Sequence, residues 1–162
     1  ILVSPTPPWV LIAGFVGGGS VRGILIGIIV LIVSVFFAPL PLTHIGIIAL
    51  FLVLSAILFS LAGLVNGIYA KNFDGISIIP TFVLTPLVYL GGVFYSAQAL
   101  PGWWKTLTLF DPIFYLINGF RFGFMGISDV SIWMCLAVLG GLIAILIGVN
   151  MYLIRTGLGL KQ

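Results

Sequence analysis

The sequence predicts an all-α integral membrane protein: four transmembrane helices, with short re-entrant helices on the outer side between the third and fourth. Three observations predict it. Only 6% of the 162 residues are charged and 62% are hydrophobic, with a mean hydropathy of +1.38. Lys, Arg, Asp and Glu are absent from 1–21, 23–70, 75–104 and 130–154. Between the last two of these runs lies a stretch both aromatic and charged. A soluble domain keeps about a quarter of its residues charged to cover its surface. This chain cannot build that surface, so its solvent is lipid.

The first apolar segment, Trp9 to Ala38, would be about 45 Å long as a helix, more than a hydrocarbon core of about 30 Å needs. Gly17-Gly18-Gly19 interrupts helix propensity. The expected division is therefore an interfacial element over residues 1–18 and a span over 19–38, with Arg22 near one headgroup layer. Pro39 and Pro41 close the segment, because proline cannot continue the helical ladder. The second span, 45–68, is the cleanest. The third, 76–96, contains Pro80, Pro86 and Gly91-Gly92. Kinks of that kind are tolerated in lipid when neighbours satisfy the freed carbonyls, so this span is expected to pack among other helices. The fourth, 132–154, starts beside Trp133 and ends at Tyr152 and Arg155, residue types that anchor at the interface.

The stretch 98–130 combines Trp103, Trp104, Phe110, Tyr115 and Phe120 with Lys105, Asp111, Arg121 and Asp129. It is too charged to span easily and too apolar for an ordinary loop. Two short helices dipping into the membrane and returning fit both properties, with Pro112 and Gly119, Gly123 and Gly126 as bends. Lys71, Arg155 and Lys161 lie at one set of span ends, while Pro39 to His44 carries no Lys or Arg. The positive-inside rule places both termini in the cytoplasm.

Composition excludes several functions. The net charge of +3 comes from six basic and three acidic residues scattered over loops and ends. They form no basic face for nucleic acid. Cys135 is the single cysteine, so no disulfide forms within the chain. His44 is the single histidine, which removes His-based metal clusters. Ser20 and His44 fall at opposite ends of the first span and cannot share a proton. No G-x-x-x-x-G-K-[ST] occurs, so no P-loop binds ATP. The sequence thus points to no catalytic, cofactor-binding or metal residues. A start at Ile1-Leu2-Val3-Ser4-Pro5, with no Met and no signal-peptide pattern, reads as the interior of a longer protein.

Three constellations remain. Gly19, Gly23 and Gly27 repeat at four-residue spacing, which lets another helix approach closely, either within the chain or across a dimer seam. Arg22 is costly in lipid; it either snorkels to headgroups or contacts a substrate. Asp111 and Arg121 are expected to pair across two short helices, because each half-buried charge needs a partner.

The run Thr85-Pro86-Leu87-Val88-Tyr89-Leu90-Gly91-Gly92-Val93-Phe94-Tyr95-Ser96, then Leu100-Pro101, Trp103-Trp104, Asp111-Pro112, Tyr115 and Gly119-Phe120-Arg121, resembles the signature of the type-2 ABC exporter permeases. Leu2-Val3-Ser4-Pro5-Thr6-Pro7 is similar to the segment before that family's third span. The resemblance implies the last four of six spans, a homodimer in the bacterial inner membrane, and a separate ABC ATPase that holds the ATP and Mg. It implies that Ser4, Pro5, Pro7 and Trp9 belong to the coupling element against that ATPase. Trp103, Trp104, Asp111, Pro112, Tyr115 and Arg121 would then form the outer re-entrant gate. Many relatives have Asn where this chain has Asp111. A self-sufficient secondary transporter or channel would need ionisable residues or a polar lining within the spans. A structural membrane anchor would need no re-entrant aromatic stretch.

Overall fold

The computed structural model describes residues 7–37, 41–70, 77, 80–93 and 103–156. They form α1 (Pro8–Phe37), α2 (Ile45–Tyr69), a π-helical turn (Pro80–Leu84) running into α3 (Thr85–Leu90), α4 (Trp103–Phe110), α5 (Pro112–Met125) and α6 (Ile132–Thr156). There is no strand among the described residues. This is what lipid demands of a chain that must satisfy its backbone internally. Helices α1, α2 and α6 are long and apolar enough to cross a membrane.

α1 corrects the expected division at the glycine triplet: it is one continuous helix of 30 residues. Each glycine costs about 1 kcal/mol of helix propensity in water, but an unpaired backbone group in lipid costs several, so the helix continues. Pro8 begins it, where a missing N–H is harmless.

Gly19, Gly23 and Gly27 of α1 face α2. A Cβ on Gly19 would lie 2.6 Å from Ser60 Oγ, and one on Gly23 would lie 3.4 Å from Ala56 Cβ. One on Gly27 would meet Leu52. As α1 residues ascend their α2 partners descend, so the two helices are antiparallel. α6 runs the other way: Phe51 and Leu58 share a core with Cys135 and Leu139, and Asn150 Nδ2 donates to Leu61 O at 3.1 Å. α2 and α6 are therefore parallel. Asn150 Nδ2 also donates to Leu146 O within α6 at 2.8 Å; interhelical bonds such as the one to Leu61 stabilise membrane bundles by about 0.6 kcal/mol on average.

α5 wedges between α2 and α6 and runs antiparallel to α2. A Cβ on Gly119 would enter the Phe51 ring, and one on Gly123 would lie 2.6 Å from Ile48 Cγ1. At the far end, His44 N–H donates to Gly123 O at 2.9 Å, and the His44 ring stacks on Phe122 with centroids 5.0 Å apart. Thr43 Oγ1 donates to Phe124 O at 2.7 Å. Gly126, with φ 71°, stops α5 in the left-handed region that glycine adopts without strain.

The described part of the third predicted span, 80–93, differs from expectation. Instead of lying among helices, it is largely exposed along Pro80–Leu90, and its buried residues are Gly91 and Gly92. A Cβ on Gly91 would lie 2.9 Å from Ile117 Cδ1. The backbone adjusts to its prolines locally through the π-helical turn, where Thr85 Oγ1 donates to Pro80 O at 3.5 Å. Such local adjustment replaces the neighbouring helices that the sequence reading invoked.

Candidate functional site

One connected set of polar side chains gathers around α4 and α5. Asp111 is the N-cap of α5: its Oδ1 accepts from Ile113 N–H at 2.9 Å, and Pro112 takes the first helical position. Tyr115 Oη donates to Leu109 O at 2.7 Å, folding α4 onto α5. Asn118, fully buried, donates through Nδ2 to Phe114 O at 3.0 Å. Its Oδ1 accepts from Asp129 N–H at 2.8 Å. Arg121 donates from one nitrogen to Asp129 Oδ2 at 3.0 Å and from another to Gly92 O at 2.7 Å.

This network overturns the expected Asp111–Arg121 pair: the partner of Arg121 is Asp129. Asp111 caps the start of the helix that carries Arg121 ten residues on, a rise of about 15 Å that no side chain folds back over. Asp111 is consumed by capping, while the Gly126 turn brings Asp129 back beside Arg121. That turn was the missed signal, since a glycine past a helix end followed by Ser128-Asp129 marks a chain reversal. Asn118 and Asn150 were also passed over, because lone amides in apolar runs carry no pattern of their own.

Asp111 is 3% exposed and its Oδ2 has no hydrogen-bond partner. Burial pushes its carboxyl above the usual carboxylate range, opposed by the hydrogen bond from Ile113 N–H. A carboxyl with a raised folded-state pKa adds stability at low pH and loses it as pH rises through that pKa. Asp111→Asn keeps an N-cap oxygen and removes the charge. Its melting temperature should match the parent's near pH 4 and exceed it increasingly toward neutrality. Asp111→Ala should lose about 1 kcal/mol of capping at every pH. Thermal unfolding in detergent across that range separates the two.

Ser4 and Pro5 lie outside the described residues; Pro7 and Trp9 are exposed at the start of α1. Trp103 is exposed on α4, and the side chain of Trp104 lies outside the described set. Arg22 is exposed in the middle of α1, between Gly19 and Gly23 and so level with Ala56 of α2. Ser20, beside Gly19 and hence near Ser60, is separated from His44 by about 24 Å along α2. No metal-binding group of three or more His, Cys, Asp or Glu occurs among the described residues.

Apolar helices that bury little of themselves against one another, with a capped short-helix pair wedged between two of them, define a membrane-embedded helical bundle. The chain belongs to the ABC-2 type transporter family, whose profile matches residues 1–125. It is 52% identical over all 162 of its residues to the inner membrane transport permease YadH of Escherichia coli K12. The same identity holds to the YadH permeases of Escherichia coli O157:H7 and Shigella flexneri. The chain spans 63% of the length of these relatives. No solved structure matches it.

Proposed function

We propose that this chain is the membrane-spanning part of an ATP-driven exporter of a bacterial inner membrane, with a separate ABC ATPase supplying the energy. Family membership over residues 1–125 carries the reading. The similarity to inner membrane transport permeases supports it. Two copies line the path, lipid surrounds them, and the chain does no bond chemistry; ATP and Mg reside on the partner.

The topology supports four spans. α2 and α6 are parallel, so the chain between Tyr69 and Ile132 must recross the bilayer once. The apolar 76–96 segment is the crossing, and α4 and α5 are the re-entrant pair at the outer end. The start of α1 and the ends of α2 and α6 then share the cytoplasmic side. There Ser4, Pro5, Pro7 and Trp9 form the coupling element, and Trp9, 62% exposed, is free to meet a partner. Trp103, Trp104, Asp111, Pro112, Tyr115 and Arg121 frame the outer gate.

The test is to purify the complete protein with its ATPase and measure ATP hydrolysis. The permease should change the hydrolysis rate of the ATPase, and Trp9→Ala should weaken that effect severalfold without lowering the melting temperature. A hydrolysis rate indifferent to the permease would remove the exporter reading in favour of a self-sufficient transporter or an anchor.

A further inference from the structure

We infer that Arg22 and the cleft beside Gly19 and Gly23 form an intramembrane binding site for an amphiphile with a phosphate head and a long apolar chain. The inference rests on reading the chain as the membrane part of an exporter, and it names the class of molecule that part accepts.

Arg22 sits where an arginine is least at ease. Its neighbours Gly19 and Gly23 face Ser60 and Ala56, near the centre of α2, which runs from Ile45 to Tyr69. Within α1, from Pro8 to Phe37, it is about 21 Å from either end. Half of a hydrocarbon core is about 15 Å, more than an arginine side chain spans. Arg22 is nevertheless exposed, and it makes no ion pair or hydrogen bond with another described residue. An ionisable group at that depth marks a substrate or ion path.

The second observation is the space next to it. An open-sided cleft of about 520 Å³ lies between α1, α2, α3 and α5. Gly19 and Gly23 form one wall, with Phe59 and Ile117 among the apolar residues opposite. Ser55 and Ser60 supply the hydroxyls. The volume is that of a small-molecule site, and the lining suits a hydrocarbon chain. Arg22 does not itself line the cleft; it is about 60° round the helix from Gly19 and about 100° from Gly23. A head bound there keeps its chain within reach of the cleft.

Charge complementarity selects the head. A guanidinium matches phosphate and carboxylate oxygens in fork geometry. A carboxylic acid in apolar surroundings recovers its proton and loses its charge. A phosphate monoester retains at least one negative charge at neutral pH and so remains a partner for Arg22.

The test uses the complete protein in phosphatidylcholine nanodiscs, labelled with hexadecyl phosphate that carries a photoactivatable group on its chain. Saturable labelling should map to α1 around Gly19–Gly23 and to α2 around Ser55–Ser60. Arg22→Gln should raise the half-saturating concentration at least tenfold, and Arg22→Lys by less than threefold. Palmitate and inorganic phosphate should compete poorly, the first for want of charge and the second for want of a chain. Labelling spread evenly over the apolar surface, or unchanged by Arg22→Gln, would overturn the site. So would loss of assembly in Arg22→Gln with labelling intact, which would assign Arg22 to a protein partner. No ATPase is present in this assay, so its failure leaves the exporter reading standing, and loss of ATPase coupling leaves the binding result standing.

Discussion

Replacing Gly119 by alanine should destabilise the bundle by about 1 kcal/mol net, and replacing it by leucine should prevent native assembly. A Cβ at this position would occupy the space of the Phe51 ring. That ring is fully buried and shares the core with Leu58, Phe114, Cys135 and Leu139. It also packs at 6.4 Å, centroid to centroid, against Phe120. To make room, the ring must rotate into occupied volume or α5 must lift away from α2. Overpacking of this kind costs about 1–3 kcal/mol, against about 1 kcal/mol gained by alanine's helix propensity. Gly140 and Gly141 on α6 provide the control, because a Cβ there meets nothing within 4 Å. Alanine at either should be neutral, or stabilising by up to about 1 kcal/mol. Thermal unfolding in one detergent should rank Gly119→Leu lowest, then Gly119→Ala, with Gly140→Ala at or above the parent.

Arg121→Ala should cost about 2–3 kcal/mol and release the third apolar segment from the bundle. The guanidinium joins two places distant in sequence, the carbonyl of Gly92 and the carboxylate of Asp129. Truncation leaves Asp129, whose side chain is 9% exposed, with an uncompensated charge. Breaking a fully buried pair costs about 3–5 kcal/mol; the Arg121 side chain is 20% exposed, and solvent screening lowers the figure. Asp129→Asn should cost less, because Arg121 keeps Gly92 O. The double variant should be less damaged than the sum of the two, since neither charge is then left alone. Hydrogen exchange should show faster exchange of 80–93 in Arg121→Ala than in Asp129→Asn. Equal exchange in both would remove Gly92 O from the account.

Much of this architecture was legible in the residues. Runs without charge gave α2 and α6 nearly to the residue, because a helix in lipid ends where apolar residues give way to prolines, interfacial aromatics and charges. The mixed composition of 98–130 gave two short helices, and Pro112 marked their junction. The misreadings share a cause. Gly17-Gly18-Gly19 was weighed by its propensity in water, whereas lipid penalises a broken backbone more than it penalises glycine. The Asp111–Arg121 pair was inferred from opposite signs within one stretch, but Asp111 lies one residue before the helix and serves as its cap. Asp129 is brought to Arg121 only by the Gly126 reversal. The parallel course of α2 and α6 depends on contacts across more than eighty residues, such as Asn150 to Leu61, and no local pattern encodes it.

Sided labelling of engineered thiols in intact cells tests the central claim most directly. With Cys135 replaced by alanine, single cysteines at Thr43 and Thr156, both exposed, report the two ends of the bundle. A membrane-impermeant maleimide should label Thr43→Cys from outside and reach Thr156→Cys only after permeabilisation. Labelling of both from the same side would contradict a membrane-crossing α2 that runs parallel to α6.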